Sequence, residues 1–109
     1  MRHDYEGQKA ETFDTFDELR KSGEVLPALS RLEVYLLAEG AEADWAAAEK
    51  ALRAKGFLTE RDDEGDTLIV STAKPIAISP DSIWAVEREI TDIGLKHDFQ
   101  PDGWEFGFD

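Results

Sequence analysis

The apolar residues of this chain switch period several times, and the order of those switches narrows the fold more than any single motif does. Leu32, Val34 and Leu36 alternate with Arg31, Glu33 and Tyr35, the pattern of a half-buried strand within 28–38. The Ala-rich segment 41–55 instead sets Trp45, Ala48 and Leu52 along one helical stripe and stops at Gly56. Residues 57–61 and 67–74 read as two strands joined by the turn Asp62-Asp63-Glu64-Gly65-Asp66. Leu68-Ile69-Val70 is apolar on both faces, as a central strand requires, whereas Glu60 and Arg61 suit a sheet edge. Ser79-Pro80-Asp81 is a helix start with a capping hydroxyl, proline at N1 and an acid at the positive end of the dipole. Ile83, Val86, Ile90 and Ile93 then recur at helical spacing to about Lys96. Asp102-Gly103 turns the chain into a last strand, where Trp104, Phe106 and Phe108 alternate with smaller or acidic residues.

Ahead of these elements, Thr12 is expected to cap a short helix that ends near Ser22, before Gly23. Residues 1–11 carry mixed charge without periodicity and are expected to be a loose lead-in. The predicted order is therefore a helix followed by strand-helix-strand-strand-helix-strand. That is the split βαβ pattern of an α+β, ferredoxin-like sandwich, with a four-stranded antiparallel sheet and two helices on one face. No internal repeat or linker divides 12–109, so one domain is expected there.

Composition restricts the chemistry. The 109 residues include no cysteine, which removes disulfides, thiolate nucleophiles and cysteine zinc sites, while 41% apolar content is enough for a real core. No apolar run is long enough to cross a bilayer, and a cytoplasmic location is the expectation. The net charge of −13 disfavours direct contact with DNA or RNA and favours a basic protein partner.

Candidate sites are correspondingly few. Asp62, Glu64 and Asp66 alternate near Gly65, but Ala73 stands where an EF-hand needs its bidentate acid, so the cluster reads as a solvated turn. His3 and His97 have no partners at ligand spacing, and no nucleophile elbow, P-loop or dinucleotide fingerprint occurs. Catalysis and cofactors are therefore not expected. The open sheet face is expected to show Glu33, Tyr35 and Glu105: one ring among acids, unsuited to stacking RNA bases and better suited to a protein contact.

The ending Pro101-Asp102-Gly103-Trp104-Glu105-Phe106, after a capped helix and the hairpin around Glu64-Gly65-Asp66, resembles the ribonuclease E inhibitor family, regulator of ribonuclease activity B (RraB). The resemblance runs from the helix at Glu11 through the last strand, and its compact motif is Asp102-Gly103-Trp104, a structural element or a partner contact. It implies a ferredoxin-like domain that binds ribonuclease E and inhibits its cleavage of RNA, without being an enzyme itself. Family members can continue into an acidic tail, so for a chain ending at Asp109 the resemblance implies a weaker role or one directed at another basic protein. The acidic loop Asp62, Asp63, Glu64 and Asp66 is the candidate element for steering such a partner. The alternative reading is a small-molecule-binding or catalytic domain that shares only the fold.

Overall fold

A computed structural model describes residues 3–23, 25–62 and 65–106. Helix α1 spans Tyr5–Lys21 and is followed by strands β1 (Leu29–Ser30) and β2 (Leu32–Ala38). Helix α2 (Trp45–Ala54) leads into the hairpin strands β3 (Phe57–Arg61) and β4 (Thr67–Thr72). Then come β5 (Ile76–Ala77), helix α3 (Pro80–Leu95) and β6 (Phe99–Phe106). The four longer strands form one sheet in the order β3-β4-β2-β6, every neighbour antiparallel, and β1 pairs with β5 in a separate two-stranded ribbon. The fold is thus α+β, with three helices and antiparallel sheets.

The alternation in β2 decides which face is covered. Leu32, Val34 and Leu36 are fully buried, together with Leu68 and Val70 of β4, and they pack with Ala48 and Leu52 of α2 and with Ile83 and Ile90 of α3. Phe16 of α1 joins the same cluster, so all three helices contribute to the core on one side of the sheet. Gly94 permits the close approach of α3 to β2, because a Cβ there would stand 3.0 Å from both terminal methyls of Leu36. Asp44 and Ser79 cap α2 and α3 by accepting from Ala47 N and Ser82 N.

Two expectations need correction. Helix α1 begins at Tyr5, not Thr12: the Asp4 carboxylate accepts from Gly7 N as the cap, and residues 5–11 expected to be loose are helical. Thr12 is instead a buried side chain in the middle of the helix, since a threonine hydroxyl serves equally as a cap or as an interior hydrogen-bonding group. Likewise β6 begins at Phe99, so Asp102-Gly103 does not turn the chain into the strand but lies inside it. Opposite β2, Pro101 pairs with Leu36 and Trp104 with Val34, leaving Asp102 and Gly103 across from Tyr35 alone. This is a β-bulge, and Gly103 absorbs it at φ 107°.

The bulge has a parity consequence. Side chains alternate along a strand, so without the extra residue Trp104 and Phe106 would face away from the helices and Glu105 would face into them. With it, Phe99, Trp104 and Phe106 all pack with the core, and Glu105 points to the open face. A Cβ at Gly103 would meet nothing within 4 Å, so backbone conformation is the whole cost of adding one. Gly103→Ala should therefore lower unfolding free energy by about 1–3 kcal/mol, measured by chemical denaturation. An unchanged midpoint would show that the bulge tolerates an L-residue.

Candidate functional site

The sheet face opposite the helices carries the side chains that alternate with the core, and cross-strand register arranges it in rows. One row runs Leu58, Ser71, Glu33, Glu105, and the next runs Glu60, Ile69, Tyr35. The Tyr35 hydroxyl stands 2.9 Å from Glu105 Oε2 and 3.1 Å from Glu33 Oε1, so one proton is shared between two carboxylates on adjacent strands. Burial, followed by the hydrogen bonds to Glu105 and Glu33, pushes the phenol far above the ordinary tyrosine value. Tyr35 is therefore held in its neutral, donating form. Leu37 and Leu58 are 40% and 47% exposed on this face, which makes it amphipathic. Arg31 stands near its end, donating to Thr72 O at 3.0 Å and to Ser71 Oγ at 3.3 Å.

Glu33, Tyr35 and Glu105 are thus brought together by two hydrogen bonds from the tyrosine. Asp62 and Asp66 are exposed, and Asp63 and Glu64 lie outside the described residues. Asp102 is exposed at the bulge, and Trp104 turns to the other side of the sheet, where its ring stacks on Phe106 at 6.0 Å. No group of three potential metal ligands occurs among the described residues, and no described helix is long and apolar enough to cross a membrane.

Behind the sheet, α1 is tied to α3 and β6 by a polar network that the sequence reading missed. Thr12 Oγ1 donates to Glu87 Oε1 at 2.5 Å, and Gln8 Nε2 donates to Glu87 Oε2 at 2.9 Å and to Thr91 Oγ1 at 3.0 Å. Trp104 Nε1 reaches Thr12 Oγ1 at 3.4 Å, His3 Nε2 lies 2.5 Å from Gln8 Oε1, and the Tyr5 hydroxyl donates to Asp92. The signal was available: Glu87 falls between Ile83 and Ile90 on the apolar stripe of α3, and a carboxylate on such a stripe needs partners.

Apart from His3, Tyr5 and Gln8, the residues that build both features, the DGW bulge included, lie in the stretch that matches a known family. A family model described as "Regulator of ribonuclease activity B" (RraB) matches residues 9–106, nearly the whole chain. The chain belongs to the RraB family. That family is one of regulators of ribonuclease activity, so the resemblance carried by Asp102-Gly103-Trp104 holds. No curated protein gives a match. For this RraB member, the bulge that closes the family match sets Trp104 against α1 and Glu105 beside Tyr35.

Glu87 generates a pH signature. Burial raises its carboxyl above the ordinary 4.5, against the opposing pull of the Thr12 and Gln8 hydrogen bonds. The folded chain therefore holds this proton where the unfolded chain has released it, and stability falls as pH rises from about 4.5 through the raised value. Comparing wild type with Glu87→Gln by urea denaturation across pH should show wild type losing ground over that window and a constant difference above it. A difference independent of pH would mean that Glu87 titrates normally.

Proposed function

We propose that this RraB-family chain inhibits a ribonuclease E-type endonuclease by binding the enzyme through its open sheet face, without catalysis of its own. The observation that supports this reading most directly is the Glu33–Tyr35–Glu105 cluster on an amphipathic face with exposed Leu37 and Leu58. Glu33 and Glu105 are register partners, and like charges directly opposed across strands repel. Arginine or lysine side chains of a nuclease's RNA-binding surface relieve that repulsion, while Leu37, Leu58 and Ile69 offer apolar contact beside them. The occupant is therefore a basic segment of the nuclease carrying apolar residues. Blocking such a segment hinders access of RNA to it.

The net charge of −13 supplies long-range attraction for the same encounter, with the loop Asp62, Asp63, Glu64 and Asp66 as its steering element. The order β3-β4-β2-β6, with α2 and α3 contributing to the core on one side, supports a ferredoxin-like βαββαβ sandwich as the carrier. In this reading α1 is an addition to the helical layer, the whole is one domain, and the protein works in the cytoplasm beside its nuclease.

Mixing the protein with ribonuclease E and a labelled RNA should slow cleavage, less so as salt is raised. The pair Glu33→Lys and Glu105→Lys should slow association on the order of tenfold at low salt and abolish inhibition, whereas Tyr35→Phe, which keeps both charges, should retain most of it. Cleavage unaffected by saturating wild-type protein would exclude the nuclease as target. Full inhibition by the double lysine variant would exclude this face.

A further inference from the structure

Among the described residues, two glutamates are at least nine-tenths buried, and their charges are handled differently. Glu49 of α2, 9% exposed, is gripped by Arg61 of β3, with Nη2 at 2.6 Å from one oxygen and Nε at 3.2 Å from the other. The Arg61 guanidinium holds the Glu49 carboxyl below the ordinary range. Glu87 of α3, only 3% exposed, receives hydrogen bonds from Thr12 and Gln8, both neutral. Among the described residues, no lysine or arginine lies within ion-pair distance of it, and the basic side chain that acts on it is His3 in the same cleft.

Glu87 is also one wall of a cavity. A cleft of about 380 Å³ opens between α1 and β6, lined in part by Glu87, Glu11, Asp4, Pro101 and the Trp104 indole. That volume lies at the small end of the ~300–1,000 Å³ typical of ligand sites. Among the described residues, three carboxylates, one histidine (His3) and no lysine or arginine line it, so cations are favoured over anions. Each Glu87 oxygen keeps acceptor capacity beyond the single hydrogen bond it receives. The Trp104 ring and Pro101 offer apolar contact to an alkyl stem.

We propose that this cleft binds one alkylguanidinium or alkylammonium group, which supplies Glu87 with the counter-charge that Arg61 supplies to Glu49. The charged head meets Glu87 and Glu11, and the stem lies along Trp104 and Pro101. The site is separate from the open sheet face and stands whether or not a nuclease docks there.

The test is an NMR titration of the full isotope-labelled chain in two arms, one with agmatine and one with a capped tripeptide centred on arginine. Sodium chloride at matched ionic strength and the same tripeptide with citrulline are the controls. The Trp104 indole N–H and the backbone amides of Thr12 and Glu87 are expected to shift saturably. Glu87→Gln should weaken the affinity about tenfold or more, because a charge-assisted hydrogen bond is lost. Glu11→Gln, at an exposed position, keeps the test valid if the first variant is poorly folded, and should weaken binding by a smaller factor. Saturation by agmatine identifies a free organic cation as sufficient, and saturation by the arginine peptide alone identifies a partner's side chain. Shifts no larger than those from sodium chloride in both arms, or an affinity unchanged in both variants, overturn the proposal.

Discussion

The one extra residue in β6 sets the character of this protein on both sides of its sheet. Strand β2 fixes its own sides through a strict period of two, with Leu32, Val34 and Leu36 fully buried and Glu33 and Tyr35 opposite. Strand β6 must match that partner at both ends, yet Phe99, Trp104 and Phe106 cannot all face the helices in a regular strand. The bulge at Asp102-Gly103 resolves the conflict by reversing parity midway. Trp104 is thereby delivered to the helical side, where it meets Thr12, and Glu105 to the open side, where it meets Tyr35.

Helix α1 is held on the helical layer by a mixture of forces of unequal specificity. Phe16 enters the shared core, but Thr12 is the other buried residue of the helix, and its partner is a carboxylate. Apolar contact alone leaves a helix free to slide or rotate at little cost, whereas a buried carboxylate that loses its donors pays a full desolvation penalty. The pairs Thr12–Glu87, Gln8–Glu87 and Gln8–Thr91 therefore fix the register of α1 against α3 more than they add net stability.

How far this was legible in the sequence follows from the same distinction. Strand β2, helix α2, the β3–β4 hairpin strands and helix α3 could be read because each repeats its apolar residues at one period over enough length, and Ser79-Pro80 marks the start of α3 without ambiguity. The start of α1 could not, because Thr12 has the chemistry of a cap and only the position of α3 reveals that its hydroxyl is spoken for. The start of β6 failed for a similar reason: Asp-Gly is the residue pair of a tight turn and also of a bulge, and the choice depends on the strand lying opposite. The β1–β5 ribbon joins two pairs of residues, too short to leave any periodic trace. Of the candidate site, Glu33, Tyr35 and Glu105 followed from alternation, while the Glu87 network needed the helix pairing to be known.

Successive residues of β6 thus serve opposite faces of one sheet, and this constrains how the two regions relate. Trp104 lines the cleft beside Glu87, and Glu105, its neighbour in the chain, holds the hydroxyl of Tyr35. The two side chains share a peptide unit immediately after a glycine in a conformation that L-residues rarely adopt. The stacking of Phe106 on Trp104 and the reach of the indole N–H to Thr12 tie that unit to the helical side. A displacement of the backbone at the bulge must therefore carry the indole and the carboxylate together, so the acid pair on the open face keeps its spacing only while Trp104 keeps its place against α1.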